Sequence, residues 1–227
     1  MHFVDSDHPD VVAFAEKATA GATTDREKAV ALFYAVRDGI RYDPYVMSSS
    51  DPETYRASTV LRDGVSYCIP KSVLLCAAAR VVGLQARLGF ADVRNHLNSE
   101  KLRARLGGTD LFVWHGYTEF FLEARGDGGC PPDKGGVSRQ GRWVKVTSAF
   151  NIELCERFGV LPLEFDGEHD AQLHPFTADG RHHMEYVRER GSFDELPLDE
   201  ILNEFRATYP LMFEGDAVPV DPAFRPA

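Results

Sequence analysis

Cys68-Ile69-Pro70-Lys71-Ser72-Val73-Leu74-Leu75-Cys76-Ala77-Ala78-Ala79-Arg80-Val81-Val82-Gly83-Leu84-Gln85-Ala86-Arg87-Leu88-Gly89-Phe90 is the stretch on which the fold turns. Proline is tolerated in a first helical turn, three consecutive alanines propagate a helix, and a glycine after it supplies the stop. These residues predict a helix over 70–82 that ends at Gly83. Ala86, Leu88 and Phe90 then alternate with Gln85, Arg87 and Gly89, the period of a strand. Upstream, Thr24 and Glu27 have capping-box spacing, and Ala29, Leu32, Phe33 and Val36 recur at helical intervals, which predicts a helix over 24–40. An earlier helix is expected from about Asp10 to Ala20, stopped by Gly21. The interval 41–64 carries two prolines and a Ser-Ser-Ser-Asp-Pro cluster, and reads as a long irregular surface loop.

Downstream, Leu111–Glu123 is a long aromatic-rich strand candidate and Arg142–Thr147 a shorter one. The glycine-rich segment between them, 124–141, is too long for a tight hairpin and reads as a mobile lid or a disordered loop. After Asn151 the pattern turns mostly helical, with irregular segments over 162–181 and an amphipathic piece over Leu198–Tyr209. Helices, then adjacent strands, then helices again describe an α+β fold with an antiparallel sheet packed on helices. The chain of 227 residues is expected to be one domain, with a core at about 24–151 and a helical or irregular elaboration at about 152–227.

The formal charge of −10 argues against a nucleic-acid partner, which a basic face would attract. No apolar run approaches the roughly 20 residues that span a bilayer, so no membrane association is expected. The N-terminal residues have neither the basic nor the apolar region of a secretory signal. Four cysteines without a C-x-x-C pair then suggest reduced thiols and a cytoplasmic setting.

Cys68 lies at a helix start, where unpaired N–H groups and the positive end of the helix dipole favour thiolate over thiol. A lowered thiol pKa is therefore expected, with Lys71 as a nearby cation if its side chain folds back. The competing reading, a cysteine acting as a small core hydrophobe, fits Cys76 among Leu74, Leu75 and Ala77. His115, at the centre of Phe112-Val113-Trp114-His115-Gly116-Tyr117, is by itself an ordinary strand histidine. Paired with Cys68 it completes an activated nucleophile, taking the thiol proton and later donating it to a leaving amine.

Cys68 followed by Ala79-Arg80-x-x-Gly83-Leu84-x-Ala86-Arg87 resembles the cysteine motif of the transglutaminase-like superfamily. His115 with Tyr117 and Glu119 is similar to its histidine strand, and Trp143 to the aromatic residue that precedes its aspartate by four positions. The resemblance covers about residues 27–151. It implies a papain-like core in which a nucleophile helix packs on an antiparallel sheet, with Cys68 and His115 catalytic. Two positions depart from the pattern: Ser66 stands where a glycine is usual, and Thr147 where the aspartate is. A threonine hydroxyl can hold an imidazole tautomer but cannot neutralise an imidazolium. Either Thr147 orients His115 weakly, or Asn151 or Glu153 substitutes, or catalysis has been lost.

The functional expectation is acyl transfer or hydrolysis of an amide or peptide through a thioester at Cys68. Its substrate would be a peptide or an amide-containing small molecule, with no cofactor and no metal; oligomeric state is left open. The alternative is a catalytically impaired module of the same fold that binds a peptide or protein partner. Other candidates carry less. His182-His183 and His169…His174 lack a metal-site pattern and read as solvated loop histidines. Glu164, Asp166 and Asp170 read as a solvated acidic face, or as a site for a cationic group. Tyr42 and Tyr45 read as loop anchors, with an oxyanion-facing hydroxyl as their functional alternative. The 94–110 segment and the glycine-rich loop are expected to shape the pocket.

Overall fold

Thr24 and Glu27 form the capping box that their spacing predicts: the Thr24 hydroxyl accepts from the Glu27 amide and the Glu27 carboxylate accepts from the Thr24 amide. In this computed structural model, which describes residues 2–47, 51–96, 98–123, 141–172, 179–180, 183–212 and 224, that box opens helix α2 (Asp25–Gly39) after α1 (Pro9–Ala18). The interval read as a loop is more ordered than its prolines suggest. It contains a two-residue strand β1 (Arg41–Tyr42), two short 3₁₀ turns and helix α3 (Ala57–Asp63). The prolines begin those 3₁₀ turns, and Tyr42, Tyr45 and Tyr55 turn inward, so burial of aromatic rings orders the segment. Strand β1 pairs in parallel with β2 (Val65–Ser66), which leads directly into the nucleophile helix.

That helix, α4 (Cys68–Val81), starts two residues earlier than Pro70: Tyr67 occupies its N-cap position and Cys68 is its first residue. Ile69 through Ala79 are all buried, because α1, α2 and α3 pack against α4, as do two strands of the sheet. A helix enclosed all round has no polar stripe to keep, which is why Val73–Ala79 read as one apolar run. The sheet has the order β5-β4-β3-β6 and is antiparallel throughout, built from β3 (Ala86–Asn95), β4 (Leu111–Glu123), β5 (Gly141–Val146) and β6 (Met184–Phe193).

Strand β6 comes from the region read as mostly helical. It sits at the sheet edge, and most of its residues are at least partly exposed, so its sequence carries charges where an apolar alternation would have revealed it. Helices α5 (Glu100–Arg105), α6 (Ile152–Phe158) and α7 (Leu198–Thr208) complete the described chain. The expected mobility of 124–141 falls, but for Gly141, outside the described residues, as do Cys130, His174 and His182.

One irregularity positions the site. Ala91 pairs with His115 and Val93 with Phe112, so a single β3 residue, Asp92, faces both Val113 and Trp114 of β4. This is a β-bulge, and Trp114 within it adopts φ 58°, a left-handed conformation costly for a large side chain. The strain is held from several directions. The Asp92 carboxylate accepts from the Trp114 amide at 3.0 Å, the Tyr209 hydroxyl from the Val113 amide at 2.6 Å, and Glu204 from the indole N–H at 2.9 Å.

Candidate active site

Cys68 reaches the sheet where β4 passes closest to the start of α4. A Cβ built on Gly116 would lie 2.9 Å from the Ile69 Cα and 3.2 Å from the Cys68 carbonyl oxygen, so only glycine permits this approach. The contact is locked one turn along, where the Thr118 hydroxyl donates to the Ser72 carbonyl at 3.1 Å. Cys68 and His115 line one cavity, together with Tyr42, Tyr67, Phe112 and Trp114. Thr147 lies one residue past Val146, which pairs with Thr118, so strand alternation carries it toward the face that His115 shares with Tyr117. His115 and Thr147 are each 5% exposed, and the Thr147 hydroxyl lies 3.5 Å from the imidazole Nε2.

The same hydroxyl is 3.5 Å from the Gly116 carbonyl oxygen. It can therefore donate to that carbonyl while accepting from Nε2–H, the tautomer that leaves Nδ1 as the base. The nitrogen facing Thr147 is thus Nε2, whereas the Nδ1 orientation is the one a serine-protease triad would suggest. Both distances are at the long end for a hydrogen bond, so the orienting force is weak. The two alternatives to Thr147 are engaged or placed elsewhere. Asn151 accepts from the Tyr42 amide at 3.0 Å and thereby fixes β1, and Glu153 is exposed on α6.

The expected lowering of the Cys68 pKa is not what the surroundings give. Burial pushes the thiol up to about 11, against the opposing pull of backbone N–H groups at Gly116, Ile69 and Cys68 itself. The helix start does favour thiolate, as its local geometry requires, but desolvation under the packed sheet outweighs it. Lys71 gives no help. Its side chain runs the other way, donating to the carbonyl oxygens of Arg37 and Ile40 at the end of α2.

Residues of the resemblance other than Cys68 and His115 build the sheet around the site. Glu119 is buried and pairs with Arg87 and the Ser192 hydroxyl. Arg87 in turn lies 3.9 Å above the Trp143 ring, and Tyr117 covers Gly89 and donates to Glu189 at 2.8 Å. These are structural braces between strands.

A model of the transglutaminase-like superfamily core matches residues 12–148, well over half of the sequence. The chain belongs to the transglutaminase-like superfamily. No curated protein matches it in sequence. Among solved structures it is similar to a putative cysteine protease from Cytophaga hutchinsonii, at 15% identity and TM-score 0.46, over 86% of this chain and 45% of that one. It is also similar to a putative protease from Parabacteroides distasonis, at 16% identity and TM-score 0.37, over 67% of this chain and 28% of that one. The chain thus spans less than half the length of each. Within the transglutaminase-like core, α4 carries the cysteine and β4 the histidine of the motifs to one cavity.

Several residues of this site lie outside the sequence reading. Asp92, Arg190, Glu204 and Tyr209 hold the bulge beside His115, and they come from three separate elements and the end of α7, with no local pattern to link them. Tyr42 is more than a loop anchor: it lines the cavity, and a Cys68 thiolate would oppose its ionisation, while burial already keeps its phenol protonated. His183 is buried against Phe150 rather than solvated. The acidic trio is engaged in tethering: Glu164 accepts from Tyr34, Asp170 from the Lys145 amide, and Asp166 pairs with His169. Among the described residues, no helix is long and apolar enough to cross a membrane.

Proposed function

We propose that the chain catalyses thiol-dependent acyl transfer or amide hydrolysis, with Cys68 as nucleophile, His115 as base and then acid, and Thr147 as the residue that holds the imidazole. The observation that carries this reading is the shared cavity wall of Cys68 and His115, with backbone N–H groups directed at the sulfur from both the helix start and β4. The thiol rests protonated, so attack and deprotonation are coupled. His115 takes the thiol proton as Sγ bonds to the carbonyl carbon, and the carbonyl electron pair moves to its oxygen. Collapse of the tetrahedral adduct expels the amine, which takes that proton from the imidazolium, and leaves a thioester. Water or a second amine then attacks the thioester carbon and returns the thiol. The backbone N–H groups that face the sulfur are suited to steady the oxyanion.

This chemistry needs no cofactor or metal and requires a reduced Cys68, in keeping with a cytoplasmic setting; Cys68, Cys76 and Cys155 are free thiols. A second reading, a binding module for peptides or proteins, has specific support in the raised thiol pKa and in Thr147 at the aspartate position. An activated ester separates the two. On the enzyme reading, p-nitrophenyl acetate yields a burst of nitrophenol and a single acetyl mass on Cys68, absent in Cys68→Ser and slowed at least tenfold in His115→Ala. Absence of any Cys68 adduct in the unmodified chain overturns the enzyme reading.

A further inference from the structure

A second cavity opens beside the one that holds Cys68 and shares Tyr42, Leu102 and Phe112 with it as a common wall. Its free volume is about 60 Å³. Its lining is dominated by the rings of Phe112, Phe150, Phe158 and Phe224 and by Leu154, and no charged side chain contributes to it among the described residues. Its polar members include Asn95, Asn98 and Ser99, with His183 beside them, its carbonyl accepting from the His96 amide at 2.8 Å and its ring stacked on Phe150.

We propose that this cavity binds a neutral aromatic side chain of the substrate, of the tyrosine type, placing the adjoining carbonyl at Cys68. The proposal rests on the acyl-transfer reading above and names its substrate class. Three observations lead to it. Apolar, ring-lined space without a counter-charge excludes lysine-, arginine- and glutamate-like side chains, because desolvating an unpaired charge is far costlier than burying a ring. The common wall at Tyr42 and Phe112 makes the two cavities neighbours, so an occupant of one presents its backbone to the other. Finally, the carboxamide of Asn98, in the cavity wall, has both polar atoms buried and neither hydrogen-bonded. An unmade buried hydrogen bond is unfavourable, so the carboxamide gains by turning toward a polar tip that reaches the cavity end. A phenol hydroxyl both donates and accepts, and so meets either end of that carboxamide.

The test uses the full chain carrying Cys68→Ala, so that binding is read without chemistry. N-acetyl-tyrosinamide, N-acetyl-phenylalaninamide, N-acetyl-lysinamide and N-acetyl-glutamic acid amide are titrated by NMR chemical-shift change. The expected order is tyrosine tightest, phenylalanine several-fold weaker, and the two charged ligands at least tenfold weaker than phenylalanine. Asn98→Leu should abolish the preference for tyrosine over phenylalanine. Leu154→Trp, checked for an unchanged thermal midpoint, should fill the space and remove both aromatic ligands. Equal binding of charged and aromatic ligands, or no binding of either aromatic ligand, overturns the proposal. So does a tyrosine preference that survives Asn98→Leu. Because the acetyl adduct at Cys68 is measured separately, a reactive thiol without aromatic selectivity overturns this proposal alone. Aromatic binding beside an inert thiol overturns the acyl-transfer reading alone.

Discussion

Thr147 is where the site departs furthest from its family pattern, and the geometry narrows what its hydroxyl can do. At 3.5 Å from Nε2 and 3.5 Å from the Gly116 carbonyl oxygen, it bridges the two without a charge of its own. It holds one imidazole tautomer and leaves the imidazolium without Coulombic support. In a serine protease, exchanging the triad aspartate for asparagine lowers kcat by about 10⁴, chiefly through the wrong tautomer. Threonine keeps the tautomer available, so a smaller deficit is expected. Thr147→Val removes the bridge and should slow acetyl transfer to Cys68 by about 5–10-fold, the worth of one modest hydrogen bond. Thr147→Asp should accelerate it and shift its pH profile toward higher pH, because a carboxylate beside the ring raises the pKa of the imidazole. An unchanged rate in Thr147→Val removes Thr147 from the mechanism. Cys68 and His115 stand out through a helix start and a strand pattern, whereas Thr147 is reached only through the family resemblance. The direction of the Cys68 pKa is not legible in the sequence, because a helix start is a local feature whereas burial depends on what the rest of the chain lays over it.

Strand β4 shows how an element can be read correctly and its decisive detail missed. Its aromatic-rich pattern predicts a strand over 111–123, and the strand forms over that span. The bulge at Val113 and Trp114 has no signal in β4, since tryptophan is a poor choice for φ 58°. What maintains it lies on other elements. Arg190 of β6 makes a two-pronged contact with Asp92, with nitrogen–oxygen distances of 2.8 Å each, and also pairs with Glu204 of α7. Asp92 and Glu204 in turn hold the Trp114 amide and indole. This chain of contacts runs from a strand that the sequence hides to the residue preceding His115.

Arg190 is therefore a positioning residue. Arg190→Leu leaves the Asp92 carboxylate buried without its counter-charge and should cost about 3–5 kcal/mol of stability. Arg190→Lys keeps the charge but loses the fork geometry, and should fold with a smaller loss. The discriminating measurement on Arg190→Lys compares two reactions of Cys68. Acetyl transfer, which needs His115 in place, should fall several-fold. Alkylation by iodoacetamide at pH 10, which needs only the thiolate, should stay within twofold of the unmodified chain. Equal losses in both would mean that Arg190 serves stability alone.

At the scale of the molecule, the same enclosure of α4 that raises the Cys68 pKa buries a lysine. Lys71 is fully buried, and burial lowers its pKa from 10.5 to about 7, with Asp38 opposing that shift and Arg37 adding to it. Its amine serves α2, whose last carbonyls have no intrahelical partner and accept from Nζ. Between about pH 7 and 10.5 the unfolded chain binds this proton and the folded chain does not, so stability rises with pH across that window. This contribution is complete above 10.5 and is lost as pH falls toward 7. The thiols act in the opposite sense. Burial raises Cys68 and Cys155 from 9.0 to about 11 and Cys76 from 9.0 to about 12. Their stabilisation is complete below 9 and is lost as pH climbs through 11 to 12. The two trends meet to give a stability maximum near pH 9, well above the sequence pI of about 5.3. Urea midpoints measured from pH 6.5 to 10.5 should rise to that maximum and then fall. Lys71→Met, which fills the same space without a charge, should be more stable than the unmodified chain at pH 7 and should lose the rising limb while keeping the falling one. Cys76→Ala should shallow the fall above pH 9 and leave the rise intact. A rising limb that persists in Lys71→Met would place the titrating group elsewhere and show that the Lys71 amine keeps its proton inside the fold.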